Sequence, residues 1–356
     1  MNTTFKFAVL DPRNLPAAQT ANDAIFAAGP VFGIEVTVPS LAARCIGNLD
    51  PQHSDGDATK AAIEVALTCE LPPEGATLAT VRADLGSVGA MAVLSLLGKY
   101  RRFKAENPVP PGFDPEKAAL AEMGTGSPLD GVVGSDWQEV TFGKYSKITD
   151  WFWRRLRQVS DADKFARGEW SPKPLPTADN LWPFEAEGAV DSTKDLAAIG
   201  AAVSDFKVSL AERVATMEKW LLTGEEPAKY REAVEQERAE LVRALADGTI
   251  KVSVVAEGKI AVVESTHRAA TAVGYAHAPV VIALNPAFRL GAGEPHRKFT
   301  VCAYAPRHAD IRSALAELAQ LEAGWGGSPT IGGSPQGVSS TLTVEQVVEV
   351  VARHLK

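Results

Sequence analysis

The sequence predicts an α/β protein of two domains, and three observations carry that reading. Short apolar runs alternate with helical patterns through the first hundred residues, which implies a parallel sheet. A stretch dense in Ala, Leu, Glu, Lys and Arg follows at 192–247, and strand-like runs return after it. A chain of 356 residues also has the length of about two domains. The expected architecture is therefore two α/β domains joined by a helical linker: a parallel-sheet N-terminal domain over 1–191, a linker over 192–247, and a smaller C-terminal domain with a Gly-rich loop over 248–356.

The elements follow in order. Phe5 to Leu10 reads as a strand, Ala17 to Ala28 as a helix, Val31 to Val38 as a strand, and Ala42 to Leu49 as an apolar run ending at Asp50. Ala58 to Cys69 has a helical period, Thr77 to Val81 is strand-like, and Ser87 to Leu97 is a second apolar helix. In parallel sheets ligands sit beyond the carboxyl ends of the strands, where Asp50 and Asp84 fall. Residues 105–136 are rich in Pro and Gly and read as an irregular excursion around a short helix at Pro115 to Glu122. An aromatic and basic helix at Lys147 to Val159, a Pro-rich connector at Trp170 to Pro183, and two helices broken at Gly224 to Pro227 come next. Strands at Lys251–Val255, Lys259–Glu264, Val280–Leu284 and Lys298–Ala303, then helices at Ile311–Leu321 and Val344–His354, complete the second domain.

Composition bounds the function. Thirty-six Lys+Arg against 44 Asp+Glu give a net charge of −8, which excludes wrapping of nucleic acid by bulk charge. Three widely spaced cysteines, Cys45, Cys69 and Cys302, form neither a disulfide framework nor a thiolate zinc site, so a reducing compartment is expected. The N-terminus meets Asp11 and Pro12 before an apolar signal core can form, and the apolar stretch Val88 to Leu97 is about half a membrane span. A cytoplasmic protein with no membrane partner is the expectation.

Four stretches carry residue types suited to chemistry. In Asn48-Leu-Asp50-Pro-Gln-His53, a carboxylate and an imidazole three residues apart suit Mn²⁺, Fe²⁺ or Zn²⁺; the alternative is a polar turn leading to a helix capped by Asp57. In Arg82-Ala-Asp84-Leu-Gly86-Ser87-Val-Gly89-Ala90, a strand end meets a helix start that favours anions. Asp84 could ligate a metal and Ser87 hold a phosphate, or both could simply cap the helix. Asp161 and Asp163, beside Lys164 and Arg167, read as a further ligand source or as a solvated charged turn. Near the C-terminus, Gly326-Gly327-Ser328-Pro329 and Gly332-Gly333-Ser334-Pro335 offer open backbone N–H groups for an oxyanion, with Arg297 and Lys298 upstream; a flexible surface loop is the alternative.

Taken together, these segments resemble the DHH phosphoesterases with their DHH-associated C-terminal domain. Arg297-Lys-Phe-Thr-Val, the helix at Ile311 to Leu321 and Gly-Gly-Ser-Pro-Thr-Ile-Gly-Gly are similar to that C-terminal domain. Asp84-Leu-Gly-Ser-Val-Gly-Ala90 resembles the family's Asp-x-Asp-Ser-x-Gly-Ala segment, and Asp50-Pro-Gln-His53 its Asp-His-His signature. Gly86 stands where the second Asp of the pair is expected, Gln52 replaces the first His, and Ser328 replaces the His of the C-terminal loop. The two N-terminal segments also occur in the reverse of the family's order.

The resemblance implies a metal-dependent phosphoesterase or phosphodiesterase using Mn²⁺ (or Mg²⁺) on a nucleotide, short oligonucleotide or related phosphate ester in an interdomain cleft, where divalent ions stabilise developing charge on the phosphate. Carried over, Asp50, His53, Asp84 and Asp163 are the metal ligands, with His53 and Asp84 catalytic. Arg82, Ser87, Arg297, Gly326, Gly327 and Ser328 bind substrate. The partner is a small phosphorylated or nucleotide ligand, with short single-stranded nucleic acid and a homodimer also admitted. The alternative is a catalytically inactive DHH-like protein that binds a phosphorylated ligand.

Overall fold

The computed structural model describes residues 5–13, 15–51, 60–106, 147–163, 169–183, 196–289, 294–327, 329–335 and 337–356. The helix expected at Pro115 to Glu122 lies outside them. The chain divides into two compact units, an N-terminal one of residues 1–164 with 188–233 and a C-terminal one of 165–187 with 234–356. This division differs from the boundary expected near 191. The Pro-rich connector belongs to the C-terminal unit because Trp170 Nε1 donates to the Tyr275 carbonyl at 2.8 Å and the Lys173 N–H to that of Ala276 at 3.1 Å.

In the N-terminal unit β1 (Lys6–Val9), β2 (Val31–Ile34), β3 (Gly47–Leu49) and β4 (Thr77–Thr80) form a sheet in the order β1-β4-β2-β3. Every pairing in it is parallel. Around the sheet lie α1 (Pro16–Ala27), α2 (Pro39–Ala42), α3 (Ala62–Val65), α4 (Leu85–Glu106), α5 (Lys147–Asp163), α6 (Ala197–Ser204) and α7 (Leu210–Thr223). β2 and β4 are buried at all four positions, as expected of strands covered on both faces. Leu10, Val31, Val36, Leu41 and Ala79 pack with Ile25 and Phe26 in one cluster. Phe32, Ile34, Leu49 and Leu78 pack with Met91, Leu94, Phe152, Leu156, Met217 and Leu221 in the other.

Three departures from the sequence reading have local causes. The strand expected at Val31–Val38 stops at Ile34, because Glu35 turns into the left-handed region at φ 52°. Of the apolar run Ala42 to Leu49, Ala42 ends α2, residues 43–46 turn, and Gly47–Leu49 form the short strand β3. The two helices expected at 192–247 are three: α6, α7 and α8 (Ala228–Ala246). Ser209 starts α7 through a reciprocal cap with Glu212, and Gly224 at φ 73° ends it.

The C-terminal unit holds β5 (Lys251–Val255), β6 (Ile260–Glu264), β7 (Val280–Phe288), β8 (His296–Ala303), β9 (Gly326–Gly327) and β10 (Ile331–Gly333) in the order β5-β6-β7-β8-β10-β9. Only the β6–β7 pairing is parallel. Side chains of α10 (Ile311–Leu321) and α11 (Val344–Arg353) share one core with Ile282, Phe299 and Val301. Those of α8 and α9 (Ala270–His277) share another with Val263, Val281 and Cys302. Among the described residues no helix is long and apolar enough to cross a membrane.

Candidate functional site

Three neighbouring parallel strands, β4, β2 and β3, deliver three carboxylates to one edge of the N-terminal sheet. Ile34 pairs with Leu49, so Glu35 and Asp50 are the next residues of their strands, and the Glu35 N–H extends the ladder to the Leu49 carbonyl at 2.8 Å. Asp84 follows the end of β4 by four residues and opens α4. Both Glu35 and Asp50 are only 9% exposed.

Asn48 fixes the turn that aims Glu35. Its Oδ1 accepts from the Val36 N–H at 3.2 Å and its Nδ2 donates to the Val36 carbonyl at 3.1 Å. Gly33 makes room for that amide, since a Cβ there would stand 2.5 Å from Asn48 Oδ1. The clamp holds Glu35 at a positive φ, a conformation that costs a non-glycine residue on the order of 1 kcal/mol and recurs at functional sites.

Asp84 caps α4. The Ser87 N–H donates to Asp84 Oδ1 at 3.2 Å, and the Asp84 N–H donates to Ser87 Oγ at 3.0 Å. The Ser87 hydroxyl lies 2.7 Å from the Arg82 carbonyl and 2.9 Å from Asp84 Oδ1, and the side chain is fully buried. Ser87 therefore holds the turn together. Arg82 extends outward, 84% exposed, with Nε 3.4 Å from Asp84 Oδ2.

The fourth carboxylate comes from α5. A Cβ on Gly86 would lie 2.5 Å from the Asp163 Cγ, so Asp163 stands directly over the glycine. One turn along, a Cβ on Gly89 would lie 3.3 Å from Val159 Cγ1 and 2.9 Å from Ile63 Cδ1. The two glycines thus form a groove along α4, and Val159 and Asp163, one turn apart on α5, fill it.

Burial first, then the negative charges of Asp163, Asp84 and Asp50, push the Glu35 carboxyl up to about 9; Arg82 acts weakly in the opposite sense. Glu35 makes no hydrogen bond through its side chain to any described residue, and is neutral at neutral pH in the absence of a cation. Sequence reasoning missed it. The available signal was a lone acid inside the apolar run Val31-Phe-Gly-Ile-Glu35-Val-Thr-Val, since an unpaired buried charge needs a reason.

His53 lies outside the described residues, as does Ser328. Among the described residues no group of three His, Cys, Asp or Glu side chains is arranged to hold a metal ion. Two features still fit a hard divalent ion: the candidate donors among the described residues are carboxylate oxygens, and the Glu35 carboxyl is buried without a side-chain hydrogen bond to any of those residues.

In the C-terminal unit the Gly-rich stretch is a hairpin rather than an open loop. Gly332 pairs with Gly327 and Gly333 with Gly326. A Cβ on Gly327 would fall 2.3 Å from Gly332 Cα, so the doubled glycines let two backbones meet. Gly326 and Gly327 are exposed. Arg297 stacks over Phe299 at 4.6 Å and donates to the carbonyls of Ser340 and Leu342. Lys298, its pKa lowered by burial, donates to the Ser334 carbonyl at 2.7 Å. These basic residues hold the segment after the hairpin in place.

The fold and site define a class: a parallel α/β unit, covered on both faces, with an acidic cluster beyond its strand ends. No protein-family model matches the chain, and a search of curated proteins finds no similar one.

Proposed function

We propose that the N-terminal unit is a divalent-cation-dependent phosphoesterase centre of the DHH type, acting on a nucleotide, short oligonucleotide or related phosphate ester. The supporting observation is the convergence of Glu35, Asp50 and Asp84 at the ends of three adjacent parallel strands, with Asp163 over Gly86. Mn²⁺ or Mg²⁺, held by Asp50, His53, Asp84 and Asp163, would polarise the phosphate and stabilise charge developing on it. The exposed Arg82 at the rim is suited to orient the phosphate by paired N–H donors. Buried apolar walls behind Glu35 and Asp50 lower the local dielectric, which strengthens every charge interaction at the site.

The test is metal analysis of the purified protein, followed by Mn²⁺- and Mg²⁺-dependent hydrolysis of cyclic dinucleotides, short RNA, 3′,5′-bisphosphate nucleotides and pyrophosphate. Turnover that chelator removes, and that His53→Ala abolishes without loss of fold, is expected. A second reading, an inactive protein that only binds a phosphorylated ligand, is favoured by Gly86, Gln52 and Ser328, which stand where the resemblance expects an Asp and two His. Tight binding of one panel member with no bound metal and no turnover would select it.

A further inference from the structure

We infer that the C-terminal unit binds a phosphoryl group at the carboxyl ends of the parallel pair β6–β7, through Lys298, Asn285 and Thr300. The site uses residues of that unit alone and does not depend on the divalent-cation reading above.

Topology brings the three residues together. β6 and β7 end side by side at Glu264 and Leu284, and the Ser265 N–H carries the ladder on to the Leu284 carbonyl at 3.0 Å. The carboxyl ends of parallel strands are where α/β sheets take ligands. β8 runs antiparallel to β7 and sets Lys298 opposite Asn285, and Thr300 opposite Ala283. Strand alternation turns all three toward the face that carries Val263, Val281, Ala283 and Cys302. Arg297 points to the other face, where it stacks over Phe299 and donates to the carbonyls of Ser340 and Leu342. The arginine is thus committed to the backbone, and the lysine beside it faces the strand ends.

Lys298 calls for an anion. It is 9% exposed, yet its Nζ donates only to the Ser334 carbonyl, at 2.7 Å, and otherwise lies 5.8 Å from the centre of the Phe288 ring. Among the described residues no carboxylate pairs with it. Burial lowers its pKa, and no acidic neighbour acts against that effect. An ammonium has three N–H donors, and a buried cation without a counter-charge is costly unless something pairs with it.

Neutral donors flank the ammonium. Asn285 Oδ1 accepts from the Ala287 N–H at 3.0 Å, which leaves the Asn285 Nδ2 for a ligand. The Thr300 hydroxyl bonds to no described residue, and both side chains are half-buried. Gly333 stands opposite Thr300, and a Cβ there would lie 3.6 Å from Lys298 Nζ, so the glycine keeps that flank open. A point-charge ammonium among neutral donors suits phosphoryl oxygens, whereas a planar carboxylate is better matched by the fork of an arginine.

The experiment is a ³¹P NMR titration of inorganic phosphate with the full chain in excess chelator. It compares the wild type, Lys298→Met, Thr300→Val and, as a control, Lys251→Met at an exposed lysine on β5. Circular dichroism checks the fold of each variant. The wild type should broaden the phosphate resonance saturably. Lys298→Met should weaken binding by about tenfold or more and Thr300→Val by about threefold or more, while the control should bind as the wild type does. Thr300→Val removes only a hydroxyl, so the test does not hinge on Lys298→Met folding. A nucleoside 5′-monophosphate that binds more tightly, and is lost in the same variants, would assign the group to a nucleotide; equal binding would assign it to free phosphate. Acetate that displaces phosphate at equal concentration would overturn the phosphoryl assignment. Absence of saturable binding by the wild type, or binding that either folded variant leaves unchanged, would overturn the inference. Because chelator is present throughout, that failure would leave the divalent-cation reading untouched.

Discussion

Replacing Glu35 by Gln should stabilise the metal-free protein, by an amount that grows with pH. In the folded chain the carboxyl is pushed up to about 9 from an ordinary 4.5, by burial first and by three neighbouring aspartates second. Between those two values the unfolded chain has released its proton while the folded chain keeps it. The unfolded state binds fewer protons there, so stability falls as pH rises, by about 1.4 kcal/mol per pH unit. From 4.5 to pH 7 the accumulated cost is about 3 kcal/mol. Gln has nearly the same shape and no proton to lose, so its advantage should be near zero at about pH 4.5 and approach about 3 kcal/mol at neutrality. Urea denaturation of both proteins in excess chelator, across that pH range, measures the gap. A Gln variant no more stable than the wild type at neutral pH, or a gap that does not change with pH, would refute the argument. Saturating Mn²⁺ should reverse the order, because a ligand that binds only the folded wild type stabilises it by mass action.

Other perturbations test the scaffold. Asn48→Ala removes both hydrogen bonds to Val36, and should cost about 2 kcal/mol in denaturation while weakening any Mn²⁺ affinity by freeing the Glu35 turn. Gly224→Ala places a Cβ at φ 73° and 2.3 Å from Arg155 Nη2, which displaces the guanidinium from the Leu221 carbonyl; a loss of about 1–2 kcal/mol is expected. In the C-terminal unit Glu322 accepts from Trp325 Nε1 at 2.8 Å, Ser340 Oγ at 2.7 Å and the Thr341 N–H at 2.6 Å. Burial pushes its carboxyl up, but those hydrogen bonds outweigh burial and hold it below the ordinary range. Its contribution is thus present above the unfolded pKa and lost as pH falls through the folded one. Glu322→Ala should lower unfolding stability by about 2–3 kcal/mol near neutrality and by less in acid.

Much of the fold was legible because its signals are periodic. The buried runs of β2 and β4 lie in the expected strand regions, and the strand at Lys251–Val255 and the helix at Ile311–Leu321 occur with the expected bounds. The positions of Asp50 and Asp84 beyond the sheet were legible for a topological reason: each follows a parallel strand, and parallel strands present their carboxyl ends together. The extent of elements was less legible where one residue decides it. Glu35 ends β2 by its backbone conformation, and nothing in hydropathy distinguishes that from a strand running on to Val38. The glycine hairpin illustrates another limit, because a loop and an edge ladder of glycines have the same composition.

Asp163 shows where linear reading stops. In sequence it stands 77 positions from Gly86, and the two are joined only by the packing of α5 on α4. Each half of the match is visible alone: glycines at 86 and 89 on one helix, Val159 and Asp163 on the other. In three dimensions Gly86 admits a carboxylate from another helix, and a bulkier residue at 86 would exclude it. The consequence is testable by coupling. Gly86→Ala should weaken Mn²⁺ binding in the wild-type background, because its Cβ displaces Asp163, but should add little in the Asp163→Ala background, where nothing remains to displace. Equal effects in both backgrounds would mean that Gly86 and Asp163 are independent neighbours, and that position 86 is glycine for the sake of helix packing alone.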